Sequence, residues 1–151
     1  MQITARVDYS VRALAELAAQ HDLTWTGPQI AEAQDIPVKF LESIMRDLKR
    51  AGMVVAHRGR FGGYSLARSA EQITIADIVR AVDGPLAAVR GMPPEDAKYQ
   101  GVVEPLTSVW VAVRASMRNV LERVTIADVI RGRLPDEVTG LLSNDAWKRR
   151  D

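Results

Sequence analysis

The fold is decided by residues 27–64, GPQIAEAQDIPVKFLESIMRDLKRAGMVVAHRGRFGGY. Its first half predicts two helices separated by a tight turn. Pro28 suits the first turn of a helix, where the N–H group that proline lacks has no partner in any case. Pro37 forces the residue before it out of the helical region and so interrupts the pattern. We therefore expect a short helix that begins at Pro28 and continues over residues 29–34, and a longer one over residues 38–51.

The longer helix has two chemically different faces. Its apolar residues recur at the spacing of one helix face and predict the side that packs on the core, with Leu41, Ile44, Met45 and Leu48. The other side is polar and basic, with Lys39, Ser43, Arg46 and Arg50. A short helix, a turn and an amphipathic helix with a cationic outer face are typical of a helix-turn-helix, whose second helix enters the major groove of DNA. Many all-helical proteins contain such a pair, so the pattern alone is weak.

The residues after Gly52 predict a β-hairpin. Two β-prone runs, residues 53–58 and 64–67, flank a glycine-rich tip. The glycines permit close approach of the backbone, and Arg58 and Arg60 suit a loop that lies against phosphates or in a minor groove. Such a hairpin is the wing of a winged helix. A nucleotide-binding loop is not indicated, because no Gly-Lys-Ser/Thr opens a helix and the glycines do not join a strand to a helix.

The composition suits one small domain. The chain has 151 residues, of which 47% are hydrophobic and 26% are charged, enough to build a core. The net charge is only +1, but between residues 46 and 68 six basic residues stand against the single carboxylate of Asp47, a local excess of five positive charges. This patch suits an anionic polymer; the alternative is a solvated helix face and hairpin.

Several classes of protein are excluded by what the sequence lacks. Cysteine is absent, which excludes disulfides, cysteine-ligated zinc sites and a thiol nucleophile. The chain has no serine in a nucleophile-elbow context, no paired histidines and no carboxylate pair at an obvious spacing, so we do not expect an enzyme. No apolar stretch is long enough to span a membrane and the first residues do not resemble a signal peptide, so we expect a cytoplasmic protein without a membrane partner.

Further helices are expected on both sides of this region. Helical spacing of apolar residues predicts a first helix over residues 4–20, with Thr4 as its N-cap. Thr74 is expected to cap a fourth helix. The sequence Thr-Ile-Ala-Asp at residues 74–77 recurs at residues 125–128. We interpret the recurrence as one capping solution used twice and give it no functional weight.

The C-terminal half begins with residues 86–105, which show no periodicity and are rich in glycine and proline. A connection of this length is either functional or mobile. Residues 106–124 predict a long helix with an apolar stripe that includes Val109, Trp110, Val113, Met117, Val120 and Leu121. We expect this stripe to join two subunits; the alternative is that it covers the first helix of its own subunit. Residues 132–151 predict a tail that is helical at about 138–142.

Six motifs follow one another in a specific order: DYSVRAL (8–14), IAE (30–32), IP leading into FLE (36–42), LKRAG (48–52), RGRFGGY (58–64) and IADIVRAVDG (75–84). Together they resemble the Rrf2 family of bacterial transcription regulators, over about residues 1–130. The resemblance implies a homodimer that binds a pseudo-palindromic operator in double-stranded DNA and usually represses transcription.

The predicted fold is mainly α with a small β-hairpin wing, and it divides into four parts. Residues 1–84 form a winged helix-turn-helix domain that binds DNA. Residues 85–105 form a sensor-like loop, residues 106–131 a dimerisation helix with a short following helix, and residues 132–151 a C-terminal tail.

Sensing members of the family carry three cysteines in the loop before the dimerisation helix, whereas this chain has no cysteine. Asp8 and Arg12 in the first helix are poor replacements, because arginine has no lone pair to give a metal. We therefore expect no cysteine-ligated iron–sulfur cluster, no other cofactor and no metal site. The signal stays open: an unknown effector at the 86–105 loop, either a protein partner or a small ligand, remains an alternative.

The predicted DNA-contacting residues lie on the helix-turn-helix and the wing: Gln29, Val38, Lys39, Phe40, Glu42, Ser43, Arg46, Arg50, Arg58, Gly59, Arg60 and Tyr64. Lysine and arginine pair with guanine and glutamate accepts from a cytosine amine, although a solvated helix face is nearly as good an explanation for Glu42. Gln29 is expected to meet a phosphate through its side chain or the free N–H groups of its helix. A non-specific architectural DNA-binding protein is the nearest competing class.

Overall fold

The computed structural model describes residues 2–143 and 145–148. In the N-terminal half, three helices precede a hairpin, and a fourth helix follows it after a 3₁₀ turn at Ala70–Gln72. These elements are α1 (Ala5–Ala19), α2 (Gly27–Gln34), α3 (Val38–Arg50), β1 (Val54–His57), β2 (Gly63–Leu66) and α4 (Ile75–Val82). The mainly α fold with a small β-hairpin wing is confirmed.

Side-chain caps mark where the helices begin. The Thr4 side chain accepts a hydrogen bond from the Val7 N–H at 3.2 Å and caps α1 as predicted. Thr26 and Gln29 form a reciprocal capping box, so α2 begins at Gly27, one residue earlier than the sequence pattern indicates. Asp35 ends α2 in the left-handed conformation, with a φ of 50°. These local signals set the lengths of the two helices on either side of the turn.

The core lies between α1, α2, α3 and α4. The predicted apolar face of α3 is fully buried, and it packs with α1, α2 and α4 through Leu14, Leu17, Ile30 and Ile78. Ile126, from the C-terminal half, belongs to the same cluster. Burial of these aliphatic side chains is the main force that holds α3 on the domain.

The hairpin is antiparallel, with Val54 opposite Leu66 and His57 opposite Gly63. Trp25 adds a one-residue third strand that the sequence analysis did not predict. The Trp25 N–H donates to the Tyr64 carbonyl at 2.9 Å, and the Tyr64 N–H donates to the Trp25 carbonyl at 2.7 Å. The segment between α1 and α2 therefore anchors strand β2 close to the tip of the wing.

The C-terminal half contains α5 (Leu106–Leu121), α6 (Ile126–Arg131) and α7 (Asp136–Leu142), followed by a 3₁₀ turn at Asp145–Trp147. The predicted long helix ends three residues early, because Glu122 takes the C-cap position and Thr125 already begins the capping box of α6. The helix expected within the tail is present and starts at Asp136. Residues 144 and 149–151 of the predicted tail lie outside the described residues.

The two Thr-Ile-Ala-Asp segments lie side by side. Thr74 and Thr125 form an antiparallel bridge, and each opens its helix with a capping box. The Ile75 N–H donates to the Val124 carbonyl and the Ile126 N–H donates to the Ile73 carbonyl, both at 2.9 Å. The recurrence is one capping solution used twice, as interpreted, and it also joins α6 to the start of α4.

An ion cluster fastens the end of α5 to α4. Arg80 of α4 and Arg118 of α5 both donate to Glu122, the latter at 2.9 Å. These hydrogen bonds, that of Arg80 first, lower the pKa of Glu122 below its ordinary value. Over the described residues no helix is long and apolar enough to cross a membrane.

Candidate nucleic-acid interface

The outer face of α3 presents charged side chains to solvent. Lys39, Glu42, Arg46 and Arg50 are exposed, whereas the four apolar residues of the opposite face are buried. The helix is therefore amphipathic in the way that the spacing of its residues predicts. An exposed helix face with three basic side chains suits the major groove of DNA.

Two predicted contact residues on α3 are engaged within the protein. Ser43 is half-buried and its hydroxyl accepts a hydrogen bond from the Arg6 guanidinium at 3.2 Å. Arg50 donates to Asp47 at 2.9 Å, and Asp47 also pairs with Arg6. The sequence analysis treated Asp47 only as a negative charge and did not consider Arg6. The two residues are 41 positions apart, so no local pattern indicates their contact.

The N-terminal end of α3 packs against α1. The Phe40 ring meets the Tyr9 ring edge-on, with 5.5 Å between ring centroids and an interplanar angle of 88°. The Arg12 guanidinium lies 5.3 Å from the Tyr9 ring centroid and donates to the Gln34 side chain at 3.1 Å. Phe40 is thus partly a packing residue although it is 37% exposed, and Val38 is exposed to a similar degree.

The tip of the wing is exposed, and its backbone is hydrogen-bonded to the segment that precedes α2. Arg58 and Arg60 are exposed, and Phe61 is 84% exposed. The Arg60 guanidinium lies 5.7 Å from the Phe61 ring centroid. The Thr24 hydroxyl donates to the Phe61 carbonyl at 2.9 Å. The tip therefore combines cationic side chains with a fixed backbone, as the wing prediction requires.

Gly59, Tyr64 and Gln29 have more specific positions than the sequence indicates. Gly59 has a φ of 98°, which suits glycine at the turn of the tip. Tyr64 is half-buried and packs on the core, while its backbone pairs with Trp25. The Gln29 side-chain oxygen accepts from the Thr26 N–H at 2.8 Å, so only its amide NH₂ group is left for a phosphate.

Among the described residues, cations without an acidic partner concentrate on α3 and the wing. Over residues 2–143 and 145–148, eight basic side chains have no carboxylate within 4.0 Å. Five of them belong to α3 or to the wing, namely Lys39, Arg46, Lys49, Arg58 and Arg60. Most arginines elsewhere are neutralised by a neighbouring carboxylate, so the positive surface is a local feature.

A profile of the Rrf2 family, described as "Iron-dependent Transcriptional regulator", matches residues 3–132. The chain belongs to the Rrf2 family. The HTH-type transcriptional regulator Rv1287 of Mycobacterium tuberculosis is 46% identical over 142 residues, which cover 93% of this chain and 88% of that protein. This Rrf2 chain is therefore a DNA-binding transcriptional regulator with a winged helix-turn-helix, and it is not an enzyme.

Two solved structures share the fold. The structure of CymR, titled the global cysteine regulator of B. subtilis, superposes with a TM-score of 0.74 at 27% identity and covers 87% of this chain and 98% of that one. The structure of IscR from T. potens superposes with a TM-score of 0.71 at 27% identity and covers 100% of this chain and 94% of that one. The winged-helix architecture of this Rrf2 chain is thus shared over most of its length.

The iron in the family description does not fit the residues of this Rrf2 chain. The sequence supplies no thiolate, and within the described residues no group of three histidine, aspartate or glutamate side chains is placed to hold a metal ion. Glu95, in the loop before α5, is engaged by Arg114 at 2.5 Å. The pKa of Glu95 is lowered by its own backbone N–H and then by Arg114. The loop therefore offers no donor set of the kind that iron–sulfur clusters use.

The loop of residues 85–105 is fastened to α5 instead. The Trp110 indole N–H donates to the Tyr99 hydroxyl at 3.1 Å, and the Thr107 hydroxyl donates to the Ala97 carbonyl at 2.7 Å. The Arg90 guanidinium lies 5.7 Å from the Tyr99 ring centroid. Trp110, predicted for the dimer interface, is therefore half-buried against its own loop.

The remaining stripe residues of α5 face different neighbours. Met117 and Leu121 border a small apolar cavity of about 250 Å³ with α1 and α4. Val113 faces the loop at 87–89, and Val109 is 47% exposed. No residue of α5 is buried in the described chain, although the helix carries a broad apolar stripe. By helical spacing Val109, Val113 and Val120 lie on one side of α5; Val109 is exposed and the other two are half-buried, and we call this side the free edge.

Proposed function

We propose that this Rrf2 chain acts as a homodimer that binds a pseudo-palindromic operator and represses transcription. In this proposal α3 enters the major groove and the wing lies on the minor groove or its phosphates. The observation that carries the proposal is the cluster of unpartnered cations on α3 and the wing. The proposed contact residues are those predicted from the sequence, with Ser43, Phe40 and Tyr64 contributing mainly through packing.

The free edge of α5 supports the dimer. An apolar edge on a helix that buries none of its residues in one subunit needs a partner to exclude water. A second copy of the chain supplies an identical edge, and a two-fold arrangement would present two α3 helices to successive major grooves. The repeated half-sites of a palindromic operator match such symmetry.

Selection of preferred sequences from random duplexes tests the proposal. The wild-type protein is expected to enrich one two-fold symmetric sequence and to reduce transcription from a promoter that carries it. Uniform recovery of all duplexes, with a strong dependence on salt, would instead indicate the non-specific architectural protein.

Substitutions on the wing and on α3 are expected to have different effects. Arg60→Ala removes a phosphate contact, so it should weaken binding to every duplex about tenfold and reduce the slope of log affinity against log salt by about one unit per subunit. Arg46→Ala removes a base contact and should change the preference at one base pair in each half-site by about 1–3 kcal/mol. Titrations at several salt concentrations measure both effects.

Arg133→Ala is the matched control for these variants, because Arg133 is exposed, unpartnered among the described residues and distant from the wing in sequence. It should bind all duplexes as the wild type does. An Arg60→Ala protein with unchanged affinity and salt slope would remove the wing from the proposed interface.

The proposal includes regulation without a cysteine-ligated cluster. Metal analysis of freshly purified protein is expected to find no stoichiometric iron, because the chain supplies no thiolate ligand. Iron at one equivalent or more per subunit would overturn this part of the proposal. A cleft of about 670 Å³ between the 95–105 segment and the start of α5 is where a small effector would bind, and mass spectrometry of the same native sample tests for one.

A further inference from the structure

Arg6, in the first turn of α1, contacts two other segments of the chain at once. One terminal nitrogen donates to the Ser43 hydroxyl at 3.2 Å and the other pairs with Asp47, both on α3. The Nε–H donates to the Val82 carbonyl, the last residue of α4, at 3.3 Å. The same nitrogen lies 4.0 Å from the Asp83 carboxylate. A single guanidinium therefore bridges the recognition helix and the end of α4.

The end of α4 is itself fixed at this point. The Thr4 hydroxyl donates to the Asp83 carboxylate at 2.6 Å. Gly84 follows with a φ of 89°, and the chain then enters the 85–105 loop. Any displacement of the beginning of this loop thus acts first on Asp83 and on the guanidinium that Asp83 faces.

The chain of charges continues to the outer face of α3. Asp47 accepts from Arg6 on one side and from Arg50, at 2.9 Å, on the other. Arg50 is exposed on the face that we propose for the major groove. Negative and positive groups therefore alternate from the loop entrance to the proposed DNA surface, in the order Asp83, Arg6, Asp47, Arg50.

The packing of α3 on the core is separate from the contacts that Arg6 makes. α3 is held on the core by four buried aliphatic side chains, which do not depend on Arg6. The Arg6 and Asp47 side chains remain 28% and 19% exposed, so water screens part of their attraction. Arginine is suited to the task because its rigid planar fork holds several acceptors at fixed angles, which the single ammonium of lysine does not.

We propose that Arg6 is a positioning residue for operator recognition. It sets the position of α3 against the end of α4, so that movement at the entrance of the 85–105 loop changes how the α3 side chains meet the bases. This inference rests on the proposed function. It predicts a loss of discrimination between sequences, with little loss of general affinity for DNA.

The experiment compares dissociation constants for the selected operator and for a scrambled duplex of the same length. Arg6→Lys keeps the positive charge and should leave the scrambled-duplex constant within about twofold, whereas the ratio of the two constants should fall about five- to tenfold. Asp83→Ala removes the carboxylate that faces Arg6 and accepts from Thr4 but keeps the Val82 carbonyl, so it should lower the same ratio by a smaller factor. In a protein that already carries Arg6→Lys, adding Asp83→Ala should not lower the ratio of the two dissociation constants further. Arg123→Lys, which alters an arginine paired with Glu137 far from α3, should leave the ratio unchanged.

Each outcome bears on a different claim. If the wild type shows no preference for any duplex, the proposed function fails before the variants are tested. If the wild type discriminates and both Arg6→Lys and Asp83→Ala retain the full ratio, the positioning role is wrong and the proposed function stands. Additive effects in the double variant would likewise contradict the bridge. If thermal melting shows that Arg6→Lys is unfolded, Asp83→Ala alone decides, because it lies at the loop entrance and leaves the α3 contacts intact.

Discussion

Gly63→Ala is expected to destabilise the protein by about 3 kcal/mol and to abolish operator binding at physiological salt. A Cβ atom at this position would lie 2.6 Å from the Trp25 carbonyl oxygen and 2.7 Å from its carbon. Both are backbone atoms, so neither can move without separating Trp25 from the wing. The φ of 149° adds strain for any residue with a side chain.

Thermal melting measures the effect on stability, and a loss of this size corresponds to a fall in melting temperature of about 6–12 °C for a chain of this length. Gly27→Ala is the control. Gly27 lies in the first turn of α2, its added Cβ would meet nothing within 4 Å, and no positive φ constrains it. That variant should be as stable as the wild type or slightly more stable, because alanine favours a helix over glycine. A Gly63→Ala protein that melts and binds like the wild type would show that Trp25 does not anchor the wing.

The DNA-binding half could be predicted from sequence because its signals are local. Pro37 ends one helix within a few residues, the spacing from Leu41 to Leu48 defines one face, and the glycines mark the hairpin tip. Each of these depends on steric limits that act over one or two turns of chain. The order of the motifs then identified the family.

The features that sequence reasoning missed depend on contacts between distant residues. Trp25 meets Tyr64 across 39 positions, and Arg6 meets Asp47 across 41. The backbone pairing at Trp25 leaves no mark in the side-chain pattern, since any residue except proline could make those hydrogen bonds. The recurrence of Thr-Ile-Ala-Asp was a visible signal, but only the fold shows that the two copies are hydrogen-bonded neighbours.

The candidate site also illustrates why charge counts overestimate free cations. The local excess of five charges assumed that only Asp47 opposes the basic residues between 46 and 68. In the structure Arg50 is paired with Asp47, and Arg68 lies 3.9 Å from Asp77 on α4. The basic side chains that stay unpaired are concentrated on the α3 face and the wing tip. Their positions indicate a binding surface better than the net charge of the segment does.

Val109→Asp is expected to convert the proposed dimer to monomers and to lower operator affinity at least about 100-fold. Val109 is 47% exposed, so a carboxylate there is solvated in an isolated subunit and should change its folding little. At the free edge of a dimer the same carboxylate would be buried without a partner, which costs several kcal/mol. Sedimentation equilibrium measures the oligomeric state, and titration with operator and half-site duplexes measures the affinity.

Val111→Asp is the matched control, since Val111 belongs to the same helix and is 40% exposed. It lies in the helical row of Arg114 and Arg118, both of which bind carboxylates of their own subunit, so this row faces away from the free edge. Val111→Asp should therefore remain dimeric and bind operator normally. Loss of dimer in both variants would place the interface around the whole of α5. If both variants stay dimeric, the apolar stripe of α5 packs within its own subunit. Two subunits would then bind one operator without contact through α5.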